Sequence, residues 1–339
     1  MARVNTQIVL AARPVGQPDL SHFALRETPM PQPEPGEVLL ETLYLSLDPY
    51  MRARMYDGPN YAAPVAVGGV MVGQTVSRVI ASNDPGTAVG TIVLSPHGWQ
   101  SHATARAGSV TPLDLGALPP STALHVMGLT GLTAYGGMMR HGRMAPGETL
   151  VVSAAAGAVG SVAAQIGKAH GLRVVGLAGG AEKCRYLTDA LGLDGAVDHR
   201  APDRRAALAR ACPDGIDIYY DNVGGDLAAD ILPLLNRHGR YLVCGTIGTN
   251  RDLAAPAGVD HLPDMLARVL TRQLTVQGFI FDEFADLRPA FRRDMQGWIG
   301  SGQMRWREDV VDGLAAAPAA FLGLFTGRNQ GKLLVHLAD

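Results

Sequence analysis

The chain has 339 residues, long enough for a large core and for two domains. Its 29 lysines and arginines nearly balance 31 aspartates and glutamates, a net charge of −2 with no basic block, which argues against a nucleic-acid partner. Glycine is abundant at 41 residues while aromatics make up only 6%, which fits an α/β enzyme with many tight turns and not a disordered or fibrous chain.

The N-terminal stretch MARVNTQIVLAARP has no apolar core of the secretory kind. The longest low-polarity run, 151–166, contains glycines and is shorter than the roughly 18 residues of a membrane span. A soluble, cytoplasmic protein with no membrane partner is expected. Within residues 1–120 the runs 38–47 (VLLETLYLSL) and 90–94 are strand-like, and Pro/Gly clusters such as PMPQPEPG separate them. This pattern predicts an irregular β-barrel or sandwich. Between its strands, Asp48-Pro49-Tyr50-Met51-Arg52 reads as a short helix, with Asp48 as N-cap and Pro49 at the first helical position. Asp48 and Arg52 are four apart and are expected to pair in a supporting role. A loop carrying Tyr56 and Tyr61 follows.

The texture turns helical around 127–135, and from Thr149 strands and helices alternate. The run 149–153 is apolar throughout, as a buried parallel strand requires. It breaks at Ala155-Ala156-Gly157-Ala158-Val159-Gly160. Val159, Val162, Ala163, Ile166 and Ala169 then recur at helical intervals, and Gly171 caps the helix. A second apolar strand is predicted over 173–178. Strand, glycine turn, helix, strand is the dinucleotide-binding unit, with the G-x-G-x-x-G positions falling on Ala155, Gly157 and Gly160. Glycine admits a pyrophosphate close to the backbone, and the helix N-terminus offers its N–H groups to the negative charge. The plainer alternative is a tight turn that binds nothing.

The end of the second strand bears on which dinucleotide. An NAD site carries an acid there for the ribose 2′-hydroxyl. Here the chain reads Leu177-Ala178-Gly179-Gly180-Ala181 without an acid, and Glu182 and Lys183 come slightly later, at the start of the next helix. A missing acid and a nearby lysine suit a 2′-phosphate, so NADPH is expected over NADH. Further strands are predicted at 196–199, 216–220, 240–244 and 273–280, an amphipathic helix at 287–299, and a last strand at 332–337 that returns to the first domain. Ligands collect at the carboxyl ends of such strands, which points to Asn222, Gly245 and Phe279. Cys184, Cys212 and Cys244 are far apart, with no C-x-x-C, so neither a disulfide framework nor a zinc lobe is expected.

The motifs LSLDPYMR (45–52), MGLTGLTAY (127–135), AAAGAVGS (154–161), AGGAEKCRYL (178–187), YYDNVGG (219–225) and GRNQGKLLV (327–335) occur in that order. With them the chain resembles the zinc-independent medium-chain dehydrogenase/reductases, and within them the NADPH-dependent curcumin reductase and prostaglandin/alkenal reductase group. The resemblance implies an α/β fold: a GroES-like β-barrel catalytic domain from 1–125 and 303–339, and an NADP-binding Rossmann domain, a doubly wound parallel sheet, at 126–302, with the cofactor in the cleft. It implies reduction of the C=C bond of α,β-unsaturated ketones or aldehydes. By resemblance the NADP contacts are Gly157, Ala158, Val159, Gly160, Ser161, Lys183, His199, Asn222, Cys244, Gly245, Thr246, Phe279, Ile280 and Asn329. His199 stands where the alkenal reductases have tyrosine. Thr271 stands where prostaglandin reductases carry an active-site tyrosine, which favours the curcumin-reductase side. The strand at 273–280 is expected to be an edge that pairs across a homodimer, as in that family.

Hydride transfer to an enone leaves negative charge on the carbonyl oxygen, and a pre-placed donor stabilises it. By resemblance that donor is Tyr61, with Tyr56 and Tyr50 in reserve; the α-carbon proton comes from Tyr61 or from water. Zinc is not expected: the first domain has no cysteine, Asp48 sits where a first ligand belongs, and Gly68-Gly69-Val70 replaces Gly-His-Glu. A quinone reductase on the same scaffold, and a cofactor-binding structural or regulatory protein without turnover, are the alternative readings.

Overall fold

The computed structural model describes residues 4–58, 62–248 and 260–339. The chain divides into two units, one holding the described residues up to His125 together with Glu308–Asp339, the other those from Val126 to Arg307.

The second unit is built on a six-stranded sheet. Its strands are β1 (Thr149–Val152), β2 (Arg173–Ala178), β3 (Gly195–Asp198), β4 (Ile216–Asp221), β5 (Leu235–Val243) and β6 (Thr275–Gly278). They lie in the order 3-2-1-4-5-6, and every neighbouring pair is parallel. That is the doubly wound Rossmann order, with its switch point between β1 and β4. All four residues of β1 are buried, so the apolar run is explained by cover on both faces. On one face Leu150, Val152, Val174 and Tyr220 meet α1 (Ala158–Ala169) through Val162 and Ile166. On the other, Val151, Val175, Leu177, Tyr219 and Tyr241 form a second cluster. Helix α1 ends where Gly171, at φ 75°, donates to Lys168 O at 3.0 Å, a backbone angle that favours glycine.

Two strands differ from the pattern in the sequence. Strand β5 starts five residues before Arg240 because a register shift against β4 and a left-handed residue, His238 at φ 65°, interrupt an otherwise continuous run. Strand β6 is shorter than 273–280 because Gln273, at φ 53°, serves as the left-handed cap of α2 (Leu262–Arg272). Strand β6 lies at the edge of the sheet.

The first unit is a β structure of the GroES-like kind. Its larger sheet runs Glu308–Asp312, Lys332–His336, Glu37–Ser46, Thr75–Ser82, Ile92–Ser95 and Thr111–Pro112, with His102–Arg106 also pairing with Glu37–Ser46. Val4–Leu10 and Phe23–Pro29 form a separate antiparallel pair. The last strand pairs antiparallel with Glu37–Ser46, so the end of the chain returns to the unit made by its beginning. The core of this unit includes Ile8, Leu45, Met51, Trp99 and Phe321.

The short helix Tyr50–Ala53 forms, but Asp48 does not cap it and does not pair with Arg52; Pro49 is the N-cap and no side chain caps it. Asp48 accepts instead from the buried Lys332 ammonium at 2.7 Å and from Ser46 Oγ. Arg52, also buried, stacks its guanidinium over the Phe325 ring at 5.3 Å. A buried lysine needs a carboxylate more than a short helix end does, and this displaces the local pairing.

Candidate active site

The glycine turn joins β1 to α1. Its left-handed residue is Ala154, at φ 48°, one place before the first fingerprint position, so alanine at 155 is accommodated without strain. A Cβ on Gly160 would lie 2.4 Å from Ala154 O, and one on Gly157 would lie 3.1 Å from the same oxygen. Helix and turn therefore approach too closely for a side chain at 160. Gly157 is the N-cap of the 12-residue α1 and brings no capping side chain, which leaves that helix end suited to an anion. The cradle fits a pyrophosphate. Ala158 and Val159 are half-buried in this turn. Ser161 is buried and its N–H is bonded to Gly157 O at 3.0 Å, so it supports the turn from within.

Across the switch point, the ends of β1, β4 and β5 are tied to one carboxylate. Asp221, the last residue of β4, is fully buried. It accepts from the Ser153, Tyr219 and Tyr241 hydroxyls, each at 2.8 Å, and from the N–H groups of Val223 and Gly224 at 2.9 and 3.0 Å. Ser153 Oγ in turn accepts from the Asn222 N–H at 2.7 Å, and the Asn222 side-chain amide donates to Ser153 O at 2.8 Å. Asn222 is thereby fixed at the mouth of the sheet. The Cys244 and Gly245 N–H groups donate to Asp221 O at 2.8 and 3.0 Å, which sets 244–246 beside Asn222. A Cβ on Gly245 would meet Asn222 O at 3.3 Å, a tight fit. Burial pushes the Cys244 thiol up to about 12, so it is no nucleophile at neutral pH. The Phe279 ring packs among His141, Tyr220 and Phe284, so the side chain open to a ligand at the end of β6 is that of Ile280, 41% exposed.

The adenosine end lies at β2 and β3. A Cβ on Gly179 would sit 2.7 Å from Arg200 Nε and 3.0 Å from His199 Nε2, so both side chains cover the backbone just past β2. Lys183 is half-buried on the next helix, α3 (Ala181–Arg185). The Asp198 carboxylate is held by backbone: its Oδ1 accepts from the Gly180 and Arg200 N–H groups at 3.0 and 2.9 Å. Those two bonds lower its pKa and pin the β2 turn to the end of β3. Burial, reinforced by the Arg200 charge, lowers the pKa of His199, which is therefore neutral at pH 7. The Asp198 carboxylate is taken up by the Gly180 and Arg200 N–H groups, and the Arg200 guanidinium over Gly179 suits a 2′-phosphate.

Asn329 belongs to the other unit, where its side-chain amide donates to Gly331 O at 2.9 Å just before the last strand. Tyr61 lies outside the described residues. The Tyr56 hydroxyl is committed to Gly16 O, which weakens its claim as a donor to substrate, and Tyr50 is half-buried against the core of its unit. Thr271 is exposed on α2 and bonds its own helix through Ala267 O at 2.7 Å. Among the described residues no group of three or more His, Cys, Asp or Glu side chains is placed to hold a metal ion. Reading of the sequence missed Arg200, Ser153 and Asp221. Arg200 directly follows His199, the one signal available; the other two act across strands and leave no local trace.

Two family models match the chain: "N-terminal domain of oxidoreductase" over residues 6–113 and "Zinc-binding dehydrogenase" over 158–296. It is 47% identical to the NADPH-dependent curcumin reductase of Escherichia coli, over 98% of this chain and 97% of the relative. It is 39% identical to prostaglandin reductase 1 of Rattus norvegicus, over 94% and 95%. The crystal structure of CurA from Vibrio vulnificus in complex with NADPH superposes with a TM-score of 0.94 at 46% identity, covering 98% of this chain and 99% of that one.

Proposed function

This chain belongs to the zinc-independent medium-chain dehydrogenase/reductase family, in the group of curcumin, prostaglandin and alkenal reductases, and we propose from that premise how it reduces enones with NADPH. It is an NADP-dependent oxidoreductase acting on the C=C bond of α,β-unsaturated ketones and aldehydes. The observation that carries the cofactor reading in this chain's own residues is the Arg200 guanidinium over Gly179, with His199 beside it and Lys183 on the helix that follows.

The Rossmann part, 126–302, holds the cofactor, and 1–125 with 303–339 shapes the substrate side. The 157–161 turn receives the pyrophosphate, and the group around Gly179 the 2′-phosphate. Asn222, 244–246 and Phe279-Ile280 border the nicotinamide half. When bound, NADPH supplies a hydride to the β-carbon of the enone, and the displaced electron pair moves onto the carbonyl oxygen. Tyr61 donates a hydrogen bond to that oxygen; such a donor is worth about 2.7–4 kcal/mol. The α-carbon then takes a proton from Tyr61 or from water. Asp48 does not act as a metal ligand in this scheme, because its carboxylate is bound to Lys332 and Ser46.

The assembly is a homodimer formed through the β6 edge. Beside that edge, Leu262, Leu266 and Leu270 stand 56%, 57% and 77% exposed at four-residue intervals on α2, an apolar stripe suited to a second copy. Residence in the cytoplasm belongs to the same reading; among the described residues no helix is long and apolar enough to cross a membrane. Incubation with NADPH and a panel of enones, alkenals and quinones tests the function. NADPH loss with enones and alkenals is expected. Loss with quinones alone would replace this reading by a quinone reductase, and no loss at all by a binding protein.

A further inference from the structure

Asp221 has a burial that the cofactor contacts do not explain. It is 0% exposed, and its five donors, the three hydroxyls and two N–H groups described above, are all neutral. Five donors directed at one group match a carboxylate in its acceptor-only, ionised form. The charge is thus solvated by fixed dipoles, and among the described residues no cation is bonded to it. Its neighbours respond to it: burial raises the Tyr241 hydroxyl, and the Asp221 charge raises it further.

The carboxylate also has a place in the strand order. The groups suited to the 2′-phosphate stand at the ends of β2 and β3, so in the order 3-2-1-4-5-6 the opposite half of the dinucleotide lies over β4, β5 and β6. Asp221 ends β4 and, through Ser153 and Tyr241, joins it to β1 and β5. The half of the cofactor that would lie there is the one whose charge changes: the nicotinamide ring is neutral when reduced and cationic when oxidised.

We propose that Asp221 is a positioning residue whose buried charge makes the site bind oxidised nicotinamide more tightly than reduced, and so poises the bound cofactor to give up its hydride. The proposal rests on the reading that this unit binds NADPH. A negative charge fixed in a low-dielectric site lowers the energy of a nearby cation and leaves a neutral ring almost unaffected. The hydrogen bonds keep the carboxylate from turning or taking up water, so the preference is built in before the cofactor arrives.

The test measures dissociation constants for NADPH, by fluorescence titration, and for NADP+, by calorimetry. The proteins compared are wild type, Asp221→Asn and Tyr241→Phe. Asn is isosteric, and its amide nitrogen in the place of Oδ2 can donate to the Tyr241 hydroxyl while Gly224 N–H keeps its bond to Oδ1, so those partners are retained without the charge. Asp221→Asn is expected to weaken NADP+ roughly 10-fold more than NADPH, the scale of one unit charge acting through protein. Tyr241→Phe removes a hydrogen bond but no charge, and should leave the ratio of the two constants unchanged. Equal weakening of both forms by Asp221→Asn would overturn the proposal and leave Asp221 a structural residue. If Asp221→Asn does not fold, Asp221→Ser removes the same charge with space for water, and the same ratio decides. A wild type that binds neither form would overturn the NADPH reading itself, an outcome distinct from an unmoved ratio.

Discussion

With the Arg200 guanidinium and His199 imidazole over Gly179, the site's choice between NADPH and NADH comes down to a few side chains. Replacing Arg200 or Lys183 by alanine should weaken NADPH by about 1.5–3 kcal/mol, the range for hydrogen bonds to charged groups, and leave NADH nearly untouched. Equal losses for both cofactors in a titration would remove those residues from the 2′-phosphate site. His199 adds a pH dependence. Burial lowers its pKa in the cofactor-free protein, so it enters binding neutral at pH 7. A phosphate beside it favours the protonated ring, so binding takes up a proton and NADPH affinity rises as pH falls, levelling off only below the lowered pKa of the cofactor-free protein. Comparing His199→Gln with wild type isolates this effect from titration of the phosphate itself; the same pH slope in both would contradict it. Tyr61→Phe should cut kcat on an enone roughly 10–10³-fold with little change in NADPH affinity, and an unchanged kcat would exclude it as the donor. Lys183 is proposed from the end of β2 and the residues after it, and His199 from the family resemblance alone. Arg200 was not named, because nothing local distinguishes a surface arginine from one folded over a glycine.

The glycine turn was readable as an element because its parts are contiguous: a buried strand, a tight turn and a helix with a 3.6-residue period. The structure adds that Gly160 is the position with least room. Gly160→Ala would bring a Cβ to 2.4 Å from Ala154 O, so the turn must shift, at a cost of about 1–3 kcal/mol in stability and a loss of cofactor affinity. Denaturant unfolding and NADPH titration measure the two effects; an alanine variant with wild-type values would show that the cradle is not close-packed there. Elements set by distant contacts were less legible. Asp48 looks like an N-cap from its neighbours, yet its partner Lys332 is 284 positions away. The early start of β5 likewise depends on a register shift against β4, which no local pattern records.

At the scale of the molecule, the alternation after Thr149 and the strand-rich beginning are enough to suggest an α/β chain with two textures, and the last strand does pair with Glu37–Ser46 as a returning segment should. The edge strand was visible as a strand, but the apolar stripe beside it shows itself only once Leu262, Leu266 and Leu270 are seen on one exposed face. Leu266→Glu with Leu270→Glu should convert a dimer to monomers in sedimentation while leaving the fold intact; a wild-type monomer would contradict the dimer directly. The central claim, hydride transfer from NADPH to the C=C bond of an enone, is tested most directly by following label from NADPH deuterated at nicotinamide C4. With the transferable position labelled, the account predicts a saturated ketone or aldehyde formed mole for mole with NADP+ and carrying deuterium at its β-carbon. Deuterium at the carbonyl carbon of an alcohol product, or no labelled product while NADPH is consumed, would contradict it.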